Sequence, residues 1–158
     1  MGIGVNEYVI TFILSLLPIS ELRGAIPYGL SQGLSLKWVL VTAIVGNFIP
    51  VIPVYWGIQK LARYLSKFPS AKKFFDWLFE RSRRKAKGIE YSEFLGLAIF
   101  VGIPLPMTGA WTGAIISSLL GIPPKRAIPS VTLGILIAAG IVTGICLGVI
   151  TVFRQFVR

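Results

Sequence analysis

Glu21 and Arg23 stand two residues apart in the run Leu17-Pro18-Ile19-Ser20-Glu21-Leu22-Arg23-Gly24. They interrupt a stretch apolar enough to enter a bilayer, where even lenient insertion scales put an isolated charge at a cost of roughly 2.5–3.5 kcal/mol. Retaining both implies a paired, partly hydrated setting. Arg23 brings a fixed positive charge and a planar fork suited to phosphate or carboxylate. Glu21 is the proton-sensitive partner, whose protonation would loosen its hold on Arg23 and so couple proton movement to substrate binding. The competing reading is an ion pair that only pins a turn.

A second break, Pro104-Leu105-Pro106-Met107-Thr108-Gly109, interrupts a later apolar stretch. Ser20, Thr108 and Thr112 supply hydroxyls at the two breaks, either for an anionic headgroup or as caps for the broken helices. Backbone N–H groups of helices restarting at Gly24 and Gly109 attract anions as well. Pro18, Pro27, Pro104 and Pro106 shape the breaks, while Gly24 and Gly109 permit sharp turns and close backbone approach. Asn47, one turn before Pro50, is a candidate for lining a pathway. Trp111 is either a gate or an ordinary packed aromatic.

The elements that must position these residues follow from composition and pattern. The chain has 158 residues, 54% hydrophobic and only 14% charged, with a mean hydropathy of +0.78. Soluble chains carry about 25% charged residues, so the expectation is an all-α integral membrane protein forming a single domain over 1–158. Ten of the sixteen Lys and Arg residues lie between Lys60 and Lys87. A basic segment beside a membrane span answers to the positive-inside rule and anionic lipid, not to nucleic acid. The single cysteine, Cys146, excludes a disulfide within the chain, and the absence of histidine removes the commonest metal ligand and neutral-pH base. No soluble-enzyme constellation is present, so no catalytic residue, metal site or enzymatic activity is expected. No selectivity loop of a channel can be read either.

Residues 8–17 allow about three helical turns, ~15 Å, or half the hydrocarbon thickness. A second limb over 25–34 makes the pair a re-entrant hairpin, in preference to one kinked helix. Residues 36–59 form the first span, with Trp38 and Tyr55-Trp56 as interfacial aromatics and a kink at Pro50 and Pro53. Residues 60–93 form a basic linker whose 72–87 stretch reads as an amphipathic surface helix, set off by Pro69. Limbs at 94–102 and 110–120 repeat the hairpin, and 127–153 repeat the span. Its Gly140-x-x-x-Gly144-x-x-x-Gly148 face suits a homodimer. Aligning Arg23-Gly24-Ala25 with Thr108-Gly109-Ala110, and then Lys37 with Lys125 and Gly46 with Gly134, makes 8–59 and 94–153 two repeats. A unit of one hairpin and one span crosses the membrane once, so the repeats must be inverted, as in secondary transporters. With the basic linker cytoplasmic, the first hairpin enters from outside and the second from the cytoplasm of a multi-pass cell-membrane protein.

The runs Leu17-Pro18-Ile19-Ser20-Glu21-Leu22-Arg23-Gly24-Ala25-Ile26-Pro27 and Gly102-Ile103-Pro104-Leu105-Pro106-Met107-Thr108-Gly109-Ala110-Trp111-Thr112-Gly113 resemble those of the small multidrug export protein family. That family looks like a distant branch of the DedA superfamily, membrane proteins with two facing re-entrant hairpins. The resemblance implies ion-coupled recycling of polyprenyl-phosphate lipid carriers, with the first-hairpin acid and arginine falling on Glu21 and Arg23. The second-hairpin arginine typical of DedA proteins is replaced here by the Thr108-Gly109-Ala110-Trp111 neighbourhood. The resulting expectation is an ion-coupled transporter or flippase for an amphipathic anion, a polyprenyl-phosphate-type lipid, coupled to H+ or Na+ and needing no other cofactor. Its partners would be membrane lipids and a second copy of itself. The alternatives are an exporter of amphipathic cations, which needs an unpaired Glu21 facing a cavity, and a non-transporting membrane scaffold, favoured if Glu21 and Arg23 satisfy each other and no cavity reaches them.

Overall fold

Residues 5–65, 67, 90–105 and 108–156 are described in a computed structural model. The surface helix expected over 72–87, Pro69 and Pro106 lie outside the described residues. Seven helices follow in order: α1 Val5–Leu16, α2 Glu21–Ser31, α3 Leu36–Phe48, α4 Val51–Leu65, α5 Glu90–Gly102, α6 Ala110–Leu119 and α7 Pro124–Phe156. There is no strand among the described residues.

The break at Pro18 separates α1 from α2 by four residues, with the Glu21 N–H donating to Leu17 O at 3.0 Å. Beyond it the chain folds back. Gly29 lies against Thr11 on α1 and Val39 on α3, and Gly46 on α3 lies against Phe12 and Ser15 of α1. Small residues at these three crossings let the backbones approach closely, the usual device where lipid gives no hydrophobic drive between helices. Thr11 and Ser15 are fully buried there, their hydroxyls donating to Glu7 O and Phe12 O.

The first span is not one helix. The Ile49-Pro50 step divides it into α3 and α4, because Pro50 cannot donate to Gly46 O. Together 36–65 are long and apolar enough to cross a bilayer, as are 124–152 of α7. Large apolar side chains cover the outside of both, among them Val45, Ile52, Leu61, Ile145 and Val149. Exposed hydrophobic area on that scale needs a partner phase. The chain is an all-helical membrane protein.

Helices α2 and α6 end alike. Gly33 (φ +73°) closes α2 and Gly121 (φ +67°) closes α6. In each, the next N–H reaches back five residues, Leu34 to Gly29 O at 3.2 Å and Ile122 to Ser117 O at 3.0 Å. These are Schellman-type caps, whose left-handed residue is glycine because a Cβ is costly there. Leu34 and Ile122 are both buried. The spacing of the caps equals that of Lys37 to Lys125. Helix pairings match too: α1 packs on α3 as α5 packs on α7, and the halves exchange limbs, with α4 against α6 and α7 against α2.

Candidate functional site

The tips of the two folded-back segments meet. Gly109, the N-cap of α6, carries no side chain with which to hold the first N–H groups of that helix. Glu21 does this from 88 positions upstream (109 − 21). Its carboxylate lies directly on the Gly109 Cα, where any Cβ would collide with it. The Trp111 N–H donates to Glu21 Oε1 at 3.4 Å. Across the same junction the Trp111 ring Nε1–H donates to Leu16 O at 3.0 Å, so a carbonyl freed by the end of α1 is satisfied by the opposite tip. Trp111 is therefore a clasp between the tips.

Reaching α6 requires an unusual backbone at Glu21. Its φ of +47° is in the left-handed region, and among the described residues it is the one non-glycine found there. Such a conformation costs about 1–3 kcal/mol and persists where the surroundings over-determine it. Here they do: the side chain is only 7% exposed and its carboxylate sits on a helix N-terminus, where the dipole favours negative charge.

Arg23 is left with little. Its Nη2 lies 3.9 Å from Glu21 Oε2, and its side chain is 26% exposed. Among the described residues it makes no hydrogen bond, leaving the five guanidinium N–H donors available.

The remaining residues divide into two groups. Thr108 is absorbed by its own break: the hydroxyl donates toward Ile103 O at 2.7 Å and Leu105 O at 2.9 Å, and accepts from the Leu105 N–H at 3.2 Å. Ser20 is the N-cap of α2 yet makes no side-chain capping bond, and its hydroxyl packs against Gly24. Thr112 lies in the first turn of α6, half-buried. Pro18 and Pro104 stand in the breaks, whereas Pro27 falls inside α2 and leaves Arg23 O without its helical donor. Asn47 is 2% exposed, and its Oδ1 has no hydrogen-bond partner among the described residues. The antiparallel register that sets Gly29 against Val39 brings Asn47 level with Glu21, near the tips. Gly102, at the end of α5, lies against Gly134 and Ile137 in the first half of α7.

Sequence reasoning missed three contacts between distant elements. The Glu21 cap on α6 and the Trp111 clasp left only one trace, a glycine with no capping side chain at the start of a helix. The third is Tyr55, fully buried, which donates to Ile122 O at 2.6 Å while Ser118 Oγ donates to Tyr55 O at 2.9 Å. It fastens α4 to the end of α6.

Two grooves open on the described residues. One, of about 290 Å³, is lined by Tyr8, Trp38 and Thr42. The other, of about 260 Å³, runs between α2 and α7. Neither is lined by Glu21 or Arg23.

The sequence pattern of the family described as "Putative small multi-drug export protein" matches residues 21–141, and the chain belongs to that family. The family description points to transport. Comparison with curated proteins and with solved structures returned no match.

Proposed function

We propose that this member of the small multi-drug export family carries an amphipathic anion across the cell membrane, with Arg23 as the anion-binding group and Glu21 as the proton-sensitive latch. The observation that carries this reading is the division of labour between the two charges. Glu21 is committed to the α6 N-terminus, so the nearby guanidinium keeps its donors for a ligand. A polyprenyl-phosphate-type lipid, the substrate suggested by the resemblance to DedA proteins, has the headgroup such a fork holds best.

The matching caps and exchanged limbs support inverted repeats, each a re-entrant hairpin followed by a span, with the tips at mid-depth. Protonation of Glu21, or its displacement by a second cation such as Na+, would weaken both the α6 cap and the Arg23 pair. The tips would then part and the site could face the other side. The basic 60–93 linker lies on the cytoplasmic face in this arrangement, and two copies associate through Gly140, Gly144 and Gly148, where an added Cβ would meet nothing among the described residues. Transport rather than catalysis is the reading throughout.

An exporter of amphipathic cations would need a carboxylate open to a cavity. The buried, doubly engaged Glu21 favours the anion instead. For a scaffold, Glu21 would need only to pin the tips, and Arg23 would be replaceable. Binding separates these cases. Purified Arg23→Ala should lose measurable binding of a long-chain prenyl phosphate, with Arg23→Lys intermediate because a point charge cannot engage two oxygens as the fork does. Unchanged binding by Arg23→Ala removes the lipid-phosphate role.

A further inference from the structure

We infer that the α2–α7 groove holds the hydrocarbon tail of the ligand whose headgroup is at Arg23; this rests on the anion-binding reading of that residue. The groove is lined on α2 by Pro27, Leu30 and Ser31, and on α7 by Cys146, Val149 and Ile150 among others. On α2, positions 23, 27, 30 and 31 are spaced i, i+4, i+7 and i+8, which puts Arg23 on the same helical face as the groove. At 1.5 Å per residue, Leu30 lies about 10 Å along the axis from Arg23. One helix face therefore presents a cation followed by an apolar trough, the order of charges and hydrocarbon in an amphipathic anion. At about 260 Å³ the trough is below the roughly 300–1,000 Å³ of pockets that enclose an entire small ligand. It takes a segment of one chain, the remainder lying in lipid.

The matching positions of the two halves are filled differently. At the spacing that pairs Lys37 with Lys125, Tyr55 pairs with Thr143. Tyr55 fills the space between α4 and α6 and hydrogen-bonds across it. The Thr143 hydroxyl is buried and has no partner among the described residues.

Cys146, the single cysteine of the chain, lines the groove and reports on it directly. The test follows the rate at which N-ethylmaleimide labels Cys146 in detergent-purified full-length protein. Geranylgeranyl phosphate should slow labelling at least fivefold, with geranylgeraniol much less effective and inorganic phosphate without effect. Arg23→Ala should abolish the protection. Ser31→Trp, checked for folding by its circular dichroism and elution volume, should weaken prenyl-phosphate binding at least tenfold by filling the trough. If calorimetry detects prenyl-phosphate binding while Cys146 labelling is unchanged, the tail lies elsewhere and the anion reading survives. If no binding is detected, both fall. Equal protection by the alcohol and the phosphate would sever the groove from Arg23 and overturn the inference.

Discussion

At the scale of single residues, Glu21 carries two duties that substitution can separate. As a cap it needs only an acceptor over Gly109, and replacing a capping side chain by alanine costs about 0.5–2 kcal/mol. Glu21→Ala should therefore lower the thermal midpoint in detergent. Glu21→Gln, which keeps an acceptor oxygen, should recover most of that loss while abolishing any pH dependence of prenyl-phosphate binding that arises from this carboxylate. A Gln variant as unstable as the Ala variant would mean that charge, not hydrogen bonding, holds the tip. Gly109→Ala drives a methyl into the carboxylate, and overpacking of this kind costs roughly 1–3 kcal/mol. It should mimic Glu21→Ala in stability although residue 109 has no charge to lose. The pair Glu21–Arg23 was legible as a functional candidate because charges at membrane depth are costly. Its cross-tip cap was not, since nothing local to residue 21 names its partner.

At the scale of elements, breaks and caps decide where helices stop. Both Pro18 and the 103–109 break were evident as interruptions, and the limbs formed close to where the pattern put them. The first limb starts at Val5 rather than residue 8, and the second begins at Glu21 rather than 25. The latter difference has a physical cause: with Glu21 in the left-handed region the helix restarts there, so the charged break is shorter than expected. Gly33 and Gly121 went unremarked because glycine is common in this chain, and only their φ values single them out. Alanine at either position should destabilise the protein by about 1–2 kcal/mol, the steric cost of a left-handed L-residue. Gly57→Ala and Gly96→Ala, where a new Cβ meets open space, should be neutral or stabilising by up to about 1 kcal/mol. Denaturant or thermal melts of the four variants check the contrast, and equal effects at all four would refute the capping account.

At the scale of the whole molecule, the arrangement is a pair of similar halves that trade limbs. In the inverted reading, the turn after α2 and the turn after α6 emerge on opposite faces. Cysteine reporters test this in a Cys146→Ser background. Gln32→Cys should react with a membrane-impermeant maleimide added to intact cells, and Lys125→Cys only after permeabilisation. Labelling of both from the same side would exclude the inverted arrangement and with it the alternating exposure of the site.

Apolar runs of particular lengths, broken by proline and glycine, were enough to indicate a helical membrane protein with two interrupted stretches, because a bilayer leaves the backbone few other ways to satisfy its hydrogen bonds. A costly Glu and Arg marked where to look. Which groups meet was beyond that reach. The carboxylate of Glu21 on the start of α6, the Trp111 ring on Leu16, and the Tyr55 hydroxyl on Ile122 all join residues tens of positions apart. Periodicity records how each helix faces an apolar environment, whereas these contacts depend on how the helices are set against one another.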